Sequence, residues 1–125
     1  MIFLTKEQLL SIHQATLQAH GGSEGLRDEN GLLSALASAE NRAYYEDAGI
    51  IVCGATYAFH LIKAHAFIDG NKRVGAISAE VFLKMNGANL VASTDRLEAV
   101  YLKVGESQMS REALEMFYLE NVGFL

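Results

Sequence analysis

The sequence predicts an all-α fold of about six helices with a minor β pairing. Three observations carry that expectation. Stripes at helical spacing, apolar but for an occasional small polar residue, recur in segment after segment, as in Val74, Ile77, Ser78, Val81, Phe82 and Met85. Helix-start signals stand just before those segments, at Thr5, Ser93 or Thr94, and Ser110. The chain has no Pro, and its 11 Gly supply the punctuation. Many short strands joined by tight turns usually recruit Pro, so its absence favours helices. A length of 125 residues suits one domain, residues 1–125, built around a single core.

Phe3-Leu4 reads as a short extended lead-in. Thr5, with Gln8 three residues on, forms a capping box that opens a helix to about His20. Leu9 or Leu10, Ile12 or His13, and Leu17 form its inward stripe, and Gly21-Gly22 stops it. His13 reads as a packed side chain and His20 as a helix-end residue. Gly21 to Asp28 is a glycine-rich loop long enough to act as a flap. A second helix runs from Asp28 or Asn30 to about Asn41, with Leu32, Leu33, Leu36 and Ala39 inside. The third, about Ala48 to Ala64, is apolar on nearly every face, the signature of a helix surrounded by others. Gly54 and Ala55 on it permit close approach by a neighbour. The fourth runs from about Asn71 and is closed by Asn86-Gly87. Ala88 to Ala92 is extended and is expected to pair with Ile2 to Leu4. A fifth helix buries Leu97, Val100, Tyr101 and Val104; a sixth buries Leu114, Phe117 and Tyr118.

Composition narrows the function. Apolar residues make up 50%, which excludes disorder. A net charge of −5 argues against nucleic acid as the main partner, because binding a phosphate backbone needs a broad cationic face. Local positive charge at Lys63, Lys72 and Arg73 still suits a nucleotide. The single Cys53 leaves no internal disulfide and falls in an apolar run, so it reads as a buried structural thiol. The longest uncharged run, Ala48 to Ile62, is shorter than the ~20 residues a spanning helix needs. With no secretory signal pattern at the N-terminus, a cytoplasmic protein is expected.

Chemistry concentrates in His65-Ala66-Phe67-Ile68-Asp69-Gly70-Asn71-Lys72-Arg73, between the third and fourth helices. A loop opening into a helix presents unpaired backbone N–H groups and a partial positive charge, an anion site. Lys72 and Arg73 in that first turn oppose the helix dipole, a conflict that an anion removes. Asp69 beside phosphate oxygens is a natural Mg²⁺ ligand. Gly70 permits close backbone approach, Asn71 can cap the helix and aim its amide at an oxygen, and Lys72 offers a point charge. Arg73 offers a planar fork, and His65 could take a proton from an attacking hydroxyl. Taken singly, each has an ordinary reading: Asn-Lys-Arg a solvated helix end, His65 a capping residue, Asp69 an N-cap. His60 and His65, five apart across a helix end, make a poor metal pair. The whole set at fixed spacing supplies the parts for phosphoryl or nucleotidyl transfer.

That stretch resembles the signature of the Fic/Doc family, His-x-Phe-x-Asp/Glu-Gly/Ala-Asn-Gly/Lys-Arg, and in particular its Doc (death-on-curing) branch. Lys72 stands where the AMP-transferring branch has a second glycine. Ala66 replaces the common Pro, and Ala76 the second arginine of that branch. The loop Gly21 to Asp28 with the leucine-rich helix after it, Phe82-Leu83, and Asn86-Gly87 extend the likeness over most of the chain.

The resemblance implies a compact helical bundle and a toxin of a toxin–antitoxin pair. By that likeness His65 is the base, Asp69 the Mg²⁺ ligand, and Gly70, Asn71, Lys72 and Arg73 the ATP phosphate holders. The reaction it implies is transfer of the ATP γ-phosphate to a threonine of elongation factor Tu. A Phd-type antitoxin then inhibits by blocking the site, since no self-inhibiting [Ser/Thr]-x-x-x-Glu-[Gly/Asn] pattern is present. The alternatives are an AMP transferase on the same scaffold, which a glycine at position 72 would favour, and a catalytically silent partner-binding module.

Overall fold

The computed structural model describes all residues 1–125. Six helices follow in order: α1 (Lys6–His20), α2 (Glu29–Glu46), α3 (Ile50–Ala64), α4 (Asn71–Met85), α5 (Thr94–Gly105) and α6 (Arg111–Asn121). Two three-residue strands complete the chain, β1 (Ala88–Leu90) and β2 (Val122–Phe124). No helix is long and apolar enough to cross a membrane.

Local chemistry sets most of the boundaries. The Thr5 hydroxyl accepts from the Gln8 N–H, and the Gln8 side chain accepts from the Thr5 N–H, so both halves of the capping box form. At α2, α5 and α6 the side chains of Asp28, Ser93 and Ser110 accept the N–H of Gly31, Arg96 and Ala113, one half of that arrangement. Gly21, at φ 76, ends α1.

α3 lies at the centre and touches α2, α4, α5 and α6. The α3–α4 seam needs glycine on both sides. A Cβ on Gly54 would lie 2.9 Å from Leu83 Cδ2, and one on Gly75 would lie 2.7 Å from Ile62 Cγ1 and 3.1 Å from the Ala58 carbonyl. Around this seam one cluster of 25 buried apolar residues draws on every helix.

Three expectations are corrected. α2 continues to Glu46 rather than ending near Asn41, because Arg42 is anchored by Glu115 of α6 and by Thr56 of α3. Its buried stripe is Leu32, Ala35, Leu36 and Ala39, while Leu33 is 44% exposed. β1 pairs antiparallel with β2 in the register Ala88↔Phe124, not with Ile2 to Leu4. The Asn86 side chain holds that lead-in instead, accepting from the Ile2 N–H at 2.7 Å and donating to the Ile2 carbonyl at 2.8 Å. Tyr57, whose phenol burial pushes up to about 12, accepts the Leu4 N–H at 3.1 Å.

Candidate active site

The turn between α3 and α4 starts where His65 takes the left-handed conformation, φ 47 and ψ 43, as the C-cap of α3. Histidine is among the non-glycine residues that tolerate this region. Phe67 then turns inward, 2% exposed, and pins the loop to the core. Asn71 braces it from the far side: its side-chain oxygen accepts the Phe67 N–H at 3.0 Å, and its amide donates to the Phe67 carbonyl at 2.9 Å. Gly70, at φ 81, is the N-cap of α4 and supplies no side-chain cap. The first-turn N–H groups of α4 are therefore left for a ligand or water.

The segment before α2 lies against this loop as a short antiparallel pair. Arg27 and Asp28 donate backbone N–H groups to the Ala66 carbonyl at 2.7 and 2.9 Å. Ile68 donates to the Gly25 carbonyl at 3.0 Å, and Leu26 bridges Phe67. The Arg27 guanidinium reaches the His65 carbonyl. One Asp69 carboxylate oxygen accepts the Ser23 N–H at 3.1 Å, and the other accepts the Gly70 N–H at 2.8 Å. The glycine-rich loop thus sits on the site and helps to aim Asp69.

All six residues singled out from the sequence, His65, Asp69, Gly70, Asn71, Lys72 and Arg73, line one cleft of about 910 Å³. Lys72 and Arg73 are exposed and form no ion pair. Two cations without an ion-pair partner thus stand at a helix N-terminus, where they add to its attraction for an anion, while Asp95 and Glu98 share the same cleft. Lys63 does not join them; its ammonium contacts Ser107. Asn71 lines the cleft, but the oxygen its amide faces is the Phe67 carbonyl, so much of its capacity is spent on the loop.

Sequence reading missed the opposite wall. Asp95, Glu98, Ala99, Tyr101 and Leu102 of α5 face the cleft together with Ile68 and Ala76. The spacing 95, 98, 99, 102 marks one helix face, but nothing in the sequence says which helix that face meets. Tyr101 is 4% exposed, with its hydroxyl 2.8 Å from that of Tyr118 and its phenol pushed by burial up to about 12.

Comparison with known proteins bears on the same region. The model of the Fic/DOC family matches residues 3–83, which include the whole turn, all of α3, and α4 as far as Leu83. The chain belongs to the Fic/DOC family. A Fic/DOC relative, the "Protein kinase doc" of Escherichia phage P1, is 29% identical over 115 residues, covering 90% of this chain and 91% of the relative. The α5 wall of the cleft lies outside the matched family segment.

Proposed function

We propose that this protein is a Doc-type protein kinase that moves the γ-phosphate of ATP to a serine or threonine hydroxyl. The observation that carries the reading is the gathering of His65, Asp69, Gly70, Lys72 and Arg73 around one cleft at the mouth of α4. The likeness to the phage protein kinase doc supports it. The triphosphate lies against the α4 N-terminus, with Lys72 as a point charge and Arg73 spreading the charge of the transferred group. His65 takes the proton of the acceptor hydroxyl as its oxygen bonds to the γ-phosphorus. The bond from that phosphorus to the bridging oxygen breaks, and ADP leaves with the electron pair.

The residues present fit a magnesium ion. Each Asp69 oxygen accepts a single N–H, so both keep a lone pair for a hard cation, and Mg²⁺ needs only one or two carboxylates when phosphates and water complete its shell. When bound, that ion neutralises phosphate charge. A lysine rather than a glycine at position 72 supports transfer of the γ-phosphoryl group over transfer of AMP, because the side chain occupies space along the phosphate track. The resemblance to Doc toxins supports a translation factor such as elongation factor Tu as acceptor, and a separate Phd-type antitoxin as the inhibitor.

Purified protein, elongation factor Tu and Mg²⁺ are mixed with ATP labelled at either the γ- or the α-phosphorus. Label on the acceptor from γ-ATP alone is the expected result. Label retained only from α-ATP identifies an AMP transferase and ends the kinase reading.

A further inference from the structure

We propose that His13, far from the signature in sequence, is a positioning residue that sets the aim of Asp69. This rests on the reading of the cleft given above. His13 lies in α1 and is 6% exposed. Its ring stacks on Phe67 with centroids 3.9 Å apart and planes 18° apart. Its Nε2 is 2.9 Å from the Asp69 carbonyl oxygen. A carbonyl can only accept, so Nε2 carries the hydrogen and donates it.

The two contacts act on both sides of Ile68. The stack fixes the buried anchor of the loop, and the hydrogen bond fixes the peptide plane between Asp69 and Gly70. That plane decides two things at once. It sets where the Asp69 carboxylate leaves the backbone, and it sets the start of α4, whose N–H groups open onto the cleft. A Cβ on Gly70 would lie 3.7 Å from the His13 ring, so the imidazole lies along the edge of this turn. A core aromatic would fill the same space but would leave the Asp69 carbonyl without its donor. An apolar ring would serve packing alone; the choice of an imidazole points to the polar bond.

The carboxylate has a reporter of its own. Asp69 accepts the Ser23 N–H across the cleft edge, so protection of that amide from hydrogen exchange reads where the carboxylate sits, without ligand or turnover. Two variants separate ring from donor. His13→Phe keeps the stack and removes the donor; His13→Gln removes the ring and keeps an amide near the Nε2 position.

Amide exchange is followed by NMR in the protein alone. In His13→Phe the Ser23 and Gly70 amides are expected to lose protection while amides within α3 keep theirs. In His13→Gln protection returns at both. In the transfer assay, His13→Phe is expected to raise the Mg²⁺ concentration for half-maximal rate by roughly 10- to 100-fold, as second-sphere changes at metal sites do, with His13→Gln in between.

Unchanged Ser23 and Gly70 exchange in His13→Phe overturns the proposal, whether or not the protein turns over ATP. So does equal loss in both variants that follows their melting temperatures, because that is the behaviour of a packing residue. An inactive parent protein would instead count against the kinase reading, and the exchange experiment would still decide the role of His13.

Discussion

The backbone explains how His65 can close a helix and still serve as the base proposed for it. As the C-cap of α3 it sits at φ 47, a conformation that turns the chain sharply into the loop, and its side chain lines the cleft. Its carbonyl is held by Arg27, so the residue is anchored through the main chain and the imidazole is left for chemistry. Asparagine tolerates the same backbone region but is no base. His65→Asn is therefore expected to lower the transfer rate by about 10²- to 10⁴-fold, the usual share of a general base. The melting temperature should stay within a degree or two, because exposed substitutions away from special contacts change stability by at most about 0.5 kcal/mol. A variant that keeps its rate removes His65 from the mechanism. Lys72, Arg73 and Asp69 were readable beside it because the motif is contiguous. His13 was not, since a histidine on an apolar helix face reads as packing until its partner is known.

Among the elements, the α3–α4 seam carries the site, because the signature loop is the connection between these two helices. Gly54 was recognised as a point of close approach; Gly75 was hidden in a stripe that reads well without it. Alanine at position 75 would improve helix propensity by about 1 kcal/mol. It would also push a methyl against a main-chain carbonyl and Ile62, and overpacking typically costs about 1–3 kcal/mol. The backbone atom cannot swing aside, so the clash wins. Gly75→Ala is expected to lower stability in chemical denaturation. Gly54→Ala, whose neighbour is a leucine side chain, is expected to lose less. The reverse order would show that the seam yields more easily than its spacing implies. The β pairing was misjudged for a related reason: a three-residue strand holds no information about its partner, and the side chain of Asn86 had already taken the lead-in.

At the scale of the molecule, the half-buried His60 feels the charge of two other helices. It lies on α3 near Arg42 of α2 and Arg111 of α6, and burial first, then those two guanidinium groups, holds its proton affinity below the ordinary histidine value. The unfolded chain therefore binds that proton at a higher pH than the folded one does. As pH falls below roughly 6.5, protonation stabilises the unfolded state first, and folding stability drops until the folded value is passed. The melting temperature of the parent is expected to fall between pH 7 and pH 5, and His60→Gln is expected to flatten that fall. Parallel curves for the two proteins would exclude His60 as the source. No reading of the sequence exposes this group, because Arg42 and Arg111 are brought to it only by packing.

What the chain alone determined is whatever depends on near neighbours. The Thr5–Gln8 capping box, the apolar stripe of α4, the encircled character of α3 and the nine-residue signature all operate within a few turns of backbone, where covalent geometry fixes who meets whom. Only the tertiary structure decided what spans the fold: the α5 wall across from Lys72 and Arg73, Arg27 on the carbonyl of His65, and His13 on that of Asp69. Those contacts join residues 38 and 56 positions apart. Their partners are chosen by how six apolar faces close around one core, a cooperative result that no single segment encodes.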